Sequence, residues 1–159
     1  MQTSEHKPES ESPDSLARAE ALLKKGQVDQ ATRLLEALNH ESSDQPRTLF
    51  LLAVCRRMAK RHDEALQLLE ELTRLEPEYG RAWQEIGHNH RDCNRIRPAI
   101  DAYRKAVELN PGLLASWRDL GRMLRQHGDA GGAAVAESNA RRLAGLPREL
   151  QSVTSMLYE

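Results

Sequence analysis

Aromatic and sulfur side chains are scarce here: 159 residues include one Phe, two Trp, three Tyr and two Cys. Cys55 and Cys93 lie far apart and form no C-x-x-C pair, so the chain reads as carrying two reduced thiols rather than a disulfide framework. Neither sign of charge is in excess, the formal net charge being −1, so no global field calls for nucleic acid or an anionic membrane as partner. Long apolar runs are also missing. The longest, Leu49 to Cys55, has seven residues, against the roughly 20 that span a bilayer. The N-terminal MQTSEHKPESESP has no basic start and no apolar core, unlike a secretory signal. These absences predict a soluble, cytoplasmic protein.

What is present is Ala, Leu, Glu and Arg, in a chain that is 39% apolar and 30% charged. These side chains lose little on entering a helix, and few β-branched residues remain for a sheet, so the fold class predicted is all-α. An internal period of 34 then organises the chain. From Gly80 onward, Trp83, Ile86, Gly87, Ala99, Tyr103, Ala106 and Pro111 define columns. One period later these hold Trp117, Leu120, Gly121, Ala133 and Ala140. One period earlier they hold Leu49, Leu52, Ala53, Ala65, Leu69, Leu72 and Pro77, and before that Ala19, Leu22, Ala31, Leu35 and Leu38.

The units run 12–45, 46–79, 80–113 and 114–147 without insertions. This pattern resembles the tetratricopeptide repeat family, whose signature is a large or aromatic residue, Leu-Gly, a large residue, then Ala, an aromatic, Ala and Pro. The resemblance covers residues 12–147. It implies a solenoid of about four helix-turn-helix repeats, wound as a right-handed superhelix, with the first helix of each pair lining a concave surface. Each column has a physical reason. Small residues at Ala19, Ala53, Gly87 and Gly121, and at Ala31, Ala65, Ala99 and Ala133, let paired helices approach, while large residues fill the space around them. Gly26, Lys60, Asn94 and Gly128 share the turn column, where a left-handed conformation ends the first helix. Lys60 suits that geometry poorly, at a cost of about 1 kcal/mol. Asp29, Asp63 and Asp129 then cap the second helix or match its dipole.

The ends differ from the middle. Residues 1–11, rich in Ser, Glu, Pro and Lys, are predicted to be disordered. Residues 148–159 space Val153, Met156 and Leu157 by 3 and 4, as in a capping helix or the start of a truncated further unit. An apolar face left open there would allow a homodimer through the C-terminal end.

No phosphate-binding glycine loop, G-x-S-x-G or H-E-x-x-H is present, so no enzyme activity, cofactor or metal is expected of these residues. In the cluster His88-Asn89-His90-Arg91-Asp92-Cys93, the two histidines point about 200° apart on a helix, and His90 falls in a packing column. Function is therefore sought in the groove. The resemblance implies that ligands contact non-core positions of the first helices. These are Arg47, Phe50, Leu51 and Val54; then Arg81, Gln84, Glu85, His88 and Arg91; then Arg118, Asp119, Arg122 and Arg125. Phe50, Leu51 and Val54 either form an anchor pocket for a partner's apolar side chain or pack against the first unit. The arginines outnumber Glu85, Asp92 and Asp119, which suits a protein or peptide bearing acidic or carboxylate groups. Leu16 and Glu20 stand where the family's clamp for chaperone tails has Lys and Asn. The expected function is a protein-protein interaction scaffold. The alternative, from a looser resemblance to bacterial proteins in which such repeats precede a sulfotransferase, is a substrate-positioning region of a larger enzyme.

Overall fold

The computed structural model describes residues 13–42 and 45–156. The tail expectation for residues 1–11 and the position of Leu157 lie outside them. Within the described residues the chain forms nine helices and no strand: α1 (Pro13–Lys24), α2 (Val28–Glu41), α3 (Pro46–Met58), α4 (His62–Leu75), α5 (Gly80–Asp92), α6 (Ile96–Leu109), α7 (Leu114–Gln126), α8 (Ala130–Ala144) and α9 (Arg148–Met156). The first eight pair as helical hairpins, α1 with α2 through α7 with α8, and the hairpins stack in chain order.

Every hairpin turn uses the same device. Gly26, Lys60, Asn94 and Gly128 have φ of 73°, 61°, 55° and 90°. Beside each, two amides reach back to the end of the first helix: Gly26 to Leu23 and Gln27 to Leu22, both at 2.9 Å, with the equivalent pair at each later turn. This is the Schellman closure, which satisfies carbonyls that would otherwise be orphaned. Lys60 holds it without glycine's freedom. Lys60→Gly is therefore expected to raise unfolding free energy by about 0.5–1 kcal/mol, read as a higher urea midpoint. At the start of the second helices only Asp129 caps with its side chain, accepting from Gly132 N at 2.8 Å. Asp29 and Asp63 lie one residue inside their helices, where they meet the dipole without a cap bond.

Three buried clusters lie along the stack, each crossing a boundary between neighbouring hairpins. Ala19, Ala31 and Leu35 meet Leu51, Leu52 and Cys55; Leu49, Ala53, Leu69 and Leu72 meet Ala82 and Ile86; Ala99, Ile100, Tyr103 and Val107 meet Leu120, Met123 and Leu124. Each fully buried Leu contributes about 1.5–3 kcal/mol, and much of that burial needs the neighbouring hairpin. Sizes are matched across each pair. Ala19 and Ala53 accompany Leu35 and Leu69, whereas Gly87 faces the larger Tyr103: a Cβ at Gly87 would stand 2.6 Å from that ring. Trp83 and Trp117 donate their indole N–H to the carbonyls of Pro77 (3.2 Å) and Pro111 (2.9 Å), tying each first helix to the loop before it.

The first helices touch one another, α1 with α3 and α3 with α5, while the second helices make no comparable contact among themselves. That asymmetry places the first helices on the inner wall. α9 does not continue the stack. It runs back along the loop edge to Gly112, whose missing Cβ leaves room for the carbonyl of Thr154. Asn110 Nδ2 donates to the Ser155 carbonyl at 2.8 Å, and Arg81 Nη2 to Ser155 Oγ at 3.5 Å. Its polar residues Gln151, Thr154 and Ser155 face the array, whereas Leu150, Val153 and Met156 are exposed.

Candidate binding surface on the first helices

The sequence-predicted residues fall into three groups on this inner wall. At the α3 end, Leu51 is buried with Leu52 and Cys55 against the first hairpin, so it packs rather than presents a surface. Phe50 is half-buried, with its ring edge-on to Tyr79 at 5.5 Å, and Val54 is half-buried beside it. The packing alternative thus accounts for Leu51 and for much of Phe50. Arg47 reaches outward and pairs with Glu20 at 2.5 Å.

The middle group is an ionic network. Glu85 and Asp119 are each only 7% exposed. Glu85 accepts from Arg57 Nε at 2.8 Å; Asp119 accepts from Arg91 Nη1 at 2.6 Å and pairs with Arg122 at 3.2 Å. Arg57 and Arg91 also both reach Asp92. Beneath them His88 Nδ1 stands 2.7 Å from the Tyr103 hydroxyl, which in turn lies 3.4 Å from Asp119. Burial pushes the Tyr103 phenol well up and, outweighing Glu85 and Asp119, pulls the His88 imidazole below its usual value.

Sequence reasoning placed Glu85 and Asp119 on this surface but missed that they are consumed within it. The signal was available. Arg57 to Glu85 and Arg91 to Asp119 are both separated by 28 residues, so one rung recurs at successive hairpin boundaries. Arg57 stands one period before Arg91 and two before Arg125, both counted in the groove, so its own column pointed to it.

The last group is open. Arg118, Arg122 and Arg125 are exposed along α7, and Arg125 pairs with Glu137 of α8. With Ala140, Arg141 and Ala144 they line a cleft of about 500 Å³. A second cleft of about 580 Å³ lies between α9 and the starts of α5 and α7, and Arg81 and Gln84 face it. Among the described residues no group of three His, Cys, Asp or Glu side chains is placed to hold a metal ion, and His90 is half-buried on the face of α5. No described helix is long and apolar enough to cross a membrane.

The lowered His88 pKa carries a pH signature. The folded state binds the proton less readily than the unfolded chain, so the contribution is fully present above the ordinary value of about 6.5 and is lost as pH falls below it toward the folded pKa. His90, lowered by burial and by Arg95, adds in the same direction. The expected result is a urea midpoint that declines from pH 7 to pH 5, with a shallower decline in His88→Gln. A decline of equal slope in both proteins would remove His88 from the account.

Comparison with known proteins follows the same architecture. Two tetratricopeptide repeat models match the chain, over residues 22–86 and 80–113. Human protein O-mannosyl-transferase TMTC1 is 27% identical over 110 residues, which are 67% of this chain and 12% of that protein. Small glutamine-rich tetratricopeptide repeat-containing protein 2 of Mycosarcoma maydis is 32% identical over 50 residues, 31% of this chain and 14% of that protein. The chain thus spans only a small part of these relatives. Among solved structures, a crystal structure of MamA superposes with a TM-score of 0.73 at 18% identity, covering 82% of this chain and 76% of that one. MamA from Desulfovibrio magneticus RS-1 gives 0.71 at 21% identity, covering 82% and 73%. At these identities the likeness is one of fold.

Proposed function

Since the chain belongs to the tetratricopeptide repeat family, we propose that it is a protein-interaction scaffold whose inner wall holds a peptide or protein segment bearing carboxylates. The observation that carries this reading is the division of charge on the wall. Its acids Glu85 and Asp119 are buried in ion pairs, whereas the side chains of Arg47, Arg122 and Arg125, each touching one carboxylate, remain 65%, 66% and 63% exposed. A surface whose arginines already outnumber its acids in sequence therefore presents still more positive charge to solvent. Planar guanidinium forks suit carboxylates geometrically, and each helical turn offers another.

The test is binding of fluorescent peptides of equal length, acidic, neutral and basic, followed by anisotropy. The acidic peptide is expected to bind most tightly, to weaken as salt rises, and to lose about tenfold in the Arg47→Gln/Arg118→Gln protein. Equal binding of neutral and acidic peptides, or indifference to the double substitution, defeats the reading. A second reading is that these repeats position a substrate for a catalytic region elsewhere in a longer protein. Its support is the resemblance to an O-mannosyl-transferase over a small fraction of that enzyme.

A further inference from the structure

The cleft beside α8 occupies the place that, one hairpin earlier, receives α7. Its lining residues Arg118, Arg122, Arg125, Glu137, Ala140, Arg141 and Ala144 stand one period after Gln84, His88, Arg91, Tyr103, Ala106, Val107 and Asn110. In the preceding hairpin that surface receives α7. There Tyr103, Ala106, Val107 and Asn110 are buried, and Arg91 reaches Asp119 of the arriving helix. One hairpin earlier Arg57 reaches Glu85 of α5 in the same way. Arg125 is the next arginine of that series, but 28 residues on stands Val153, and α9 lies along the loop edge instead.

The replacements say what kind of helix fits. Where the preceding seat has buried Val107, this one has exposed Arg141; where it has Tyr103, this one has Glu137. Arg118 and Arg141 have no carboxylate within ion-pair distance among the described residues. Four guanidiniums thus surround a floor of Ala140 and Ala144, with Glu137 the one acid of the lining. A face that served only to keep the array's end soluble would mix both signs more evenly.

We propose that this end face binds an acidic α-helix of a partner protein, which stacks on α7 and α8 as the next first helix would and sets carboxylates against Arg118, Arg125 and Arg141. Small side chains on that helix would meet the alanine floor, and a carboxylate at the rung position would draw Arg125 from Glu137. The site shares Arg118 and Arg125 with the wall and adds Arg141 and Ala144 of α8, so the α8 substitutions tell it apart from peptide binding along the groove.

The experiment uses the whole chain and a capped, alanine-based 18-residue helical peptide with glutamates at i, i+4 and i+7 on one face. Its control carries glutamine at those positions. By anisotropy, the glutamate peptide is expected to bind at least tenfold more tightly than the control. That preference should vanish in Arg141→Gln and binding should be blocked in Ala144→Trp, two α8 positions exposed enough to leave folding intact, as circular dichroism would verify. The groove variant Arg47→Gln should leave it unchanged, which separates this site from the wall. Equal binding of the two peptides, no binding, or binding indifferent to both α8 substitutions overturns the proposal. Concentration-dependent dimerisation abolished by Ala144→Trp would do so too, by assigning the seat to a second copy.

Discussion

Gly87→Val is expected to lower unfolding free energy by about 3 kcal/mol, with Gly87→Ala costing about 2. A methyl group there meets the Tyr103 ring at 2.6–2.9 Å. The ring cannot swing away cheaply, since its hydroxyl is held between His88 and Asp119. Alanine recovers about 1 kcal/mol of helix propensity over glycine, which is why its net cost is smaller. The informative test is a double-mutant cycle with Tyr103→Leu, which recreates the Ala53–Leu69 pairing of the previous hairpin. A coupling energy of about 1–2 kcal/mol in favour of the double variant is expected from urea unfolding. Additive losses would mean that the two positions do not constrain each other. Gly121 provides the contrast. A Cβ there is crowded only by Glu137 Cγ, at 3.0 Å on a flexible side chain, and meets Ala133 O and Ala136 Cβ at ordinary contact distances, so Gly121→Ala should be neutral or mildly stabilising.

The second large effect is at Asp119. Removing this carboxylate in Asp119→Ala leaves Arg91 facing a buried region without its closest partner and strips the Tyr103 hydroxyl of its carboxylate acceptor. Breaking a fully dry pair costs about 3–5 kcal/mol. Arg91 is 26% exposed and keeps Asp92, so a loss of about 2 kcal/mol is expected. Asp119→Asn should lose roughly half as much, because the amide oxygen still accepts. The measurement is again urea unfolding, with Arg122→Ala as control, since Arg122 is 66% exposed and its pair contributes little. Equal midpoints for Asp119→Ala and Arg122→Ala would show that the buried network carries no stability.

The helical array was legible in the sequence because its signal is redundant. A small residue, a turn residue in the left-handed region and a large packing residue each recur at the same spacing, so Lys60 could be assigned φ > 0 from its column despite being a poor residue for it. Which positions of the first helices lie outside the packing columns can be read in the same way. What the columns did not reveal was which groove residues remain available. Leu51 and Glu85 occupy one column, yet Leu51 packs into the first hairpin and Glu85 binds Arg57. Their fates depend on the neighbouring hairpin, which a single-unit pattern does not describe. The return of α9 was less legible still. It rests on Asn110 and Gly112 receiving a backbone from more than 40 residues away, and nothing in the spacing of Val153 and Met156 shows that they would stay uncovered.

Each ionic rung spans 28 residues, from one hairpin to the next, and recurs at the 34-residue period of the architecture. Each arginine is therefore mortgaged to a different structural unit from its own, and no hairpin can balance its charges in isolation. Melting one hairpin strands a cation or an anion in the next, so the middle of the array should open as a block rather than peel unit by unit. Removing both carboxylates, as in Glu85→Gln with Asp119→Asn, would cut the seams first, turning a single cooperative transition into a staggered one.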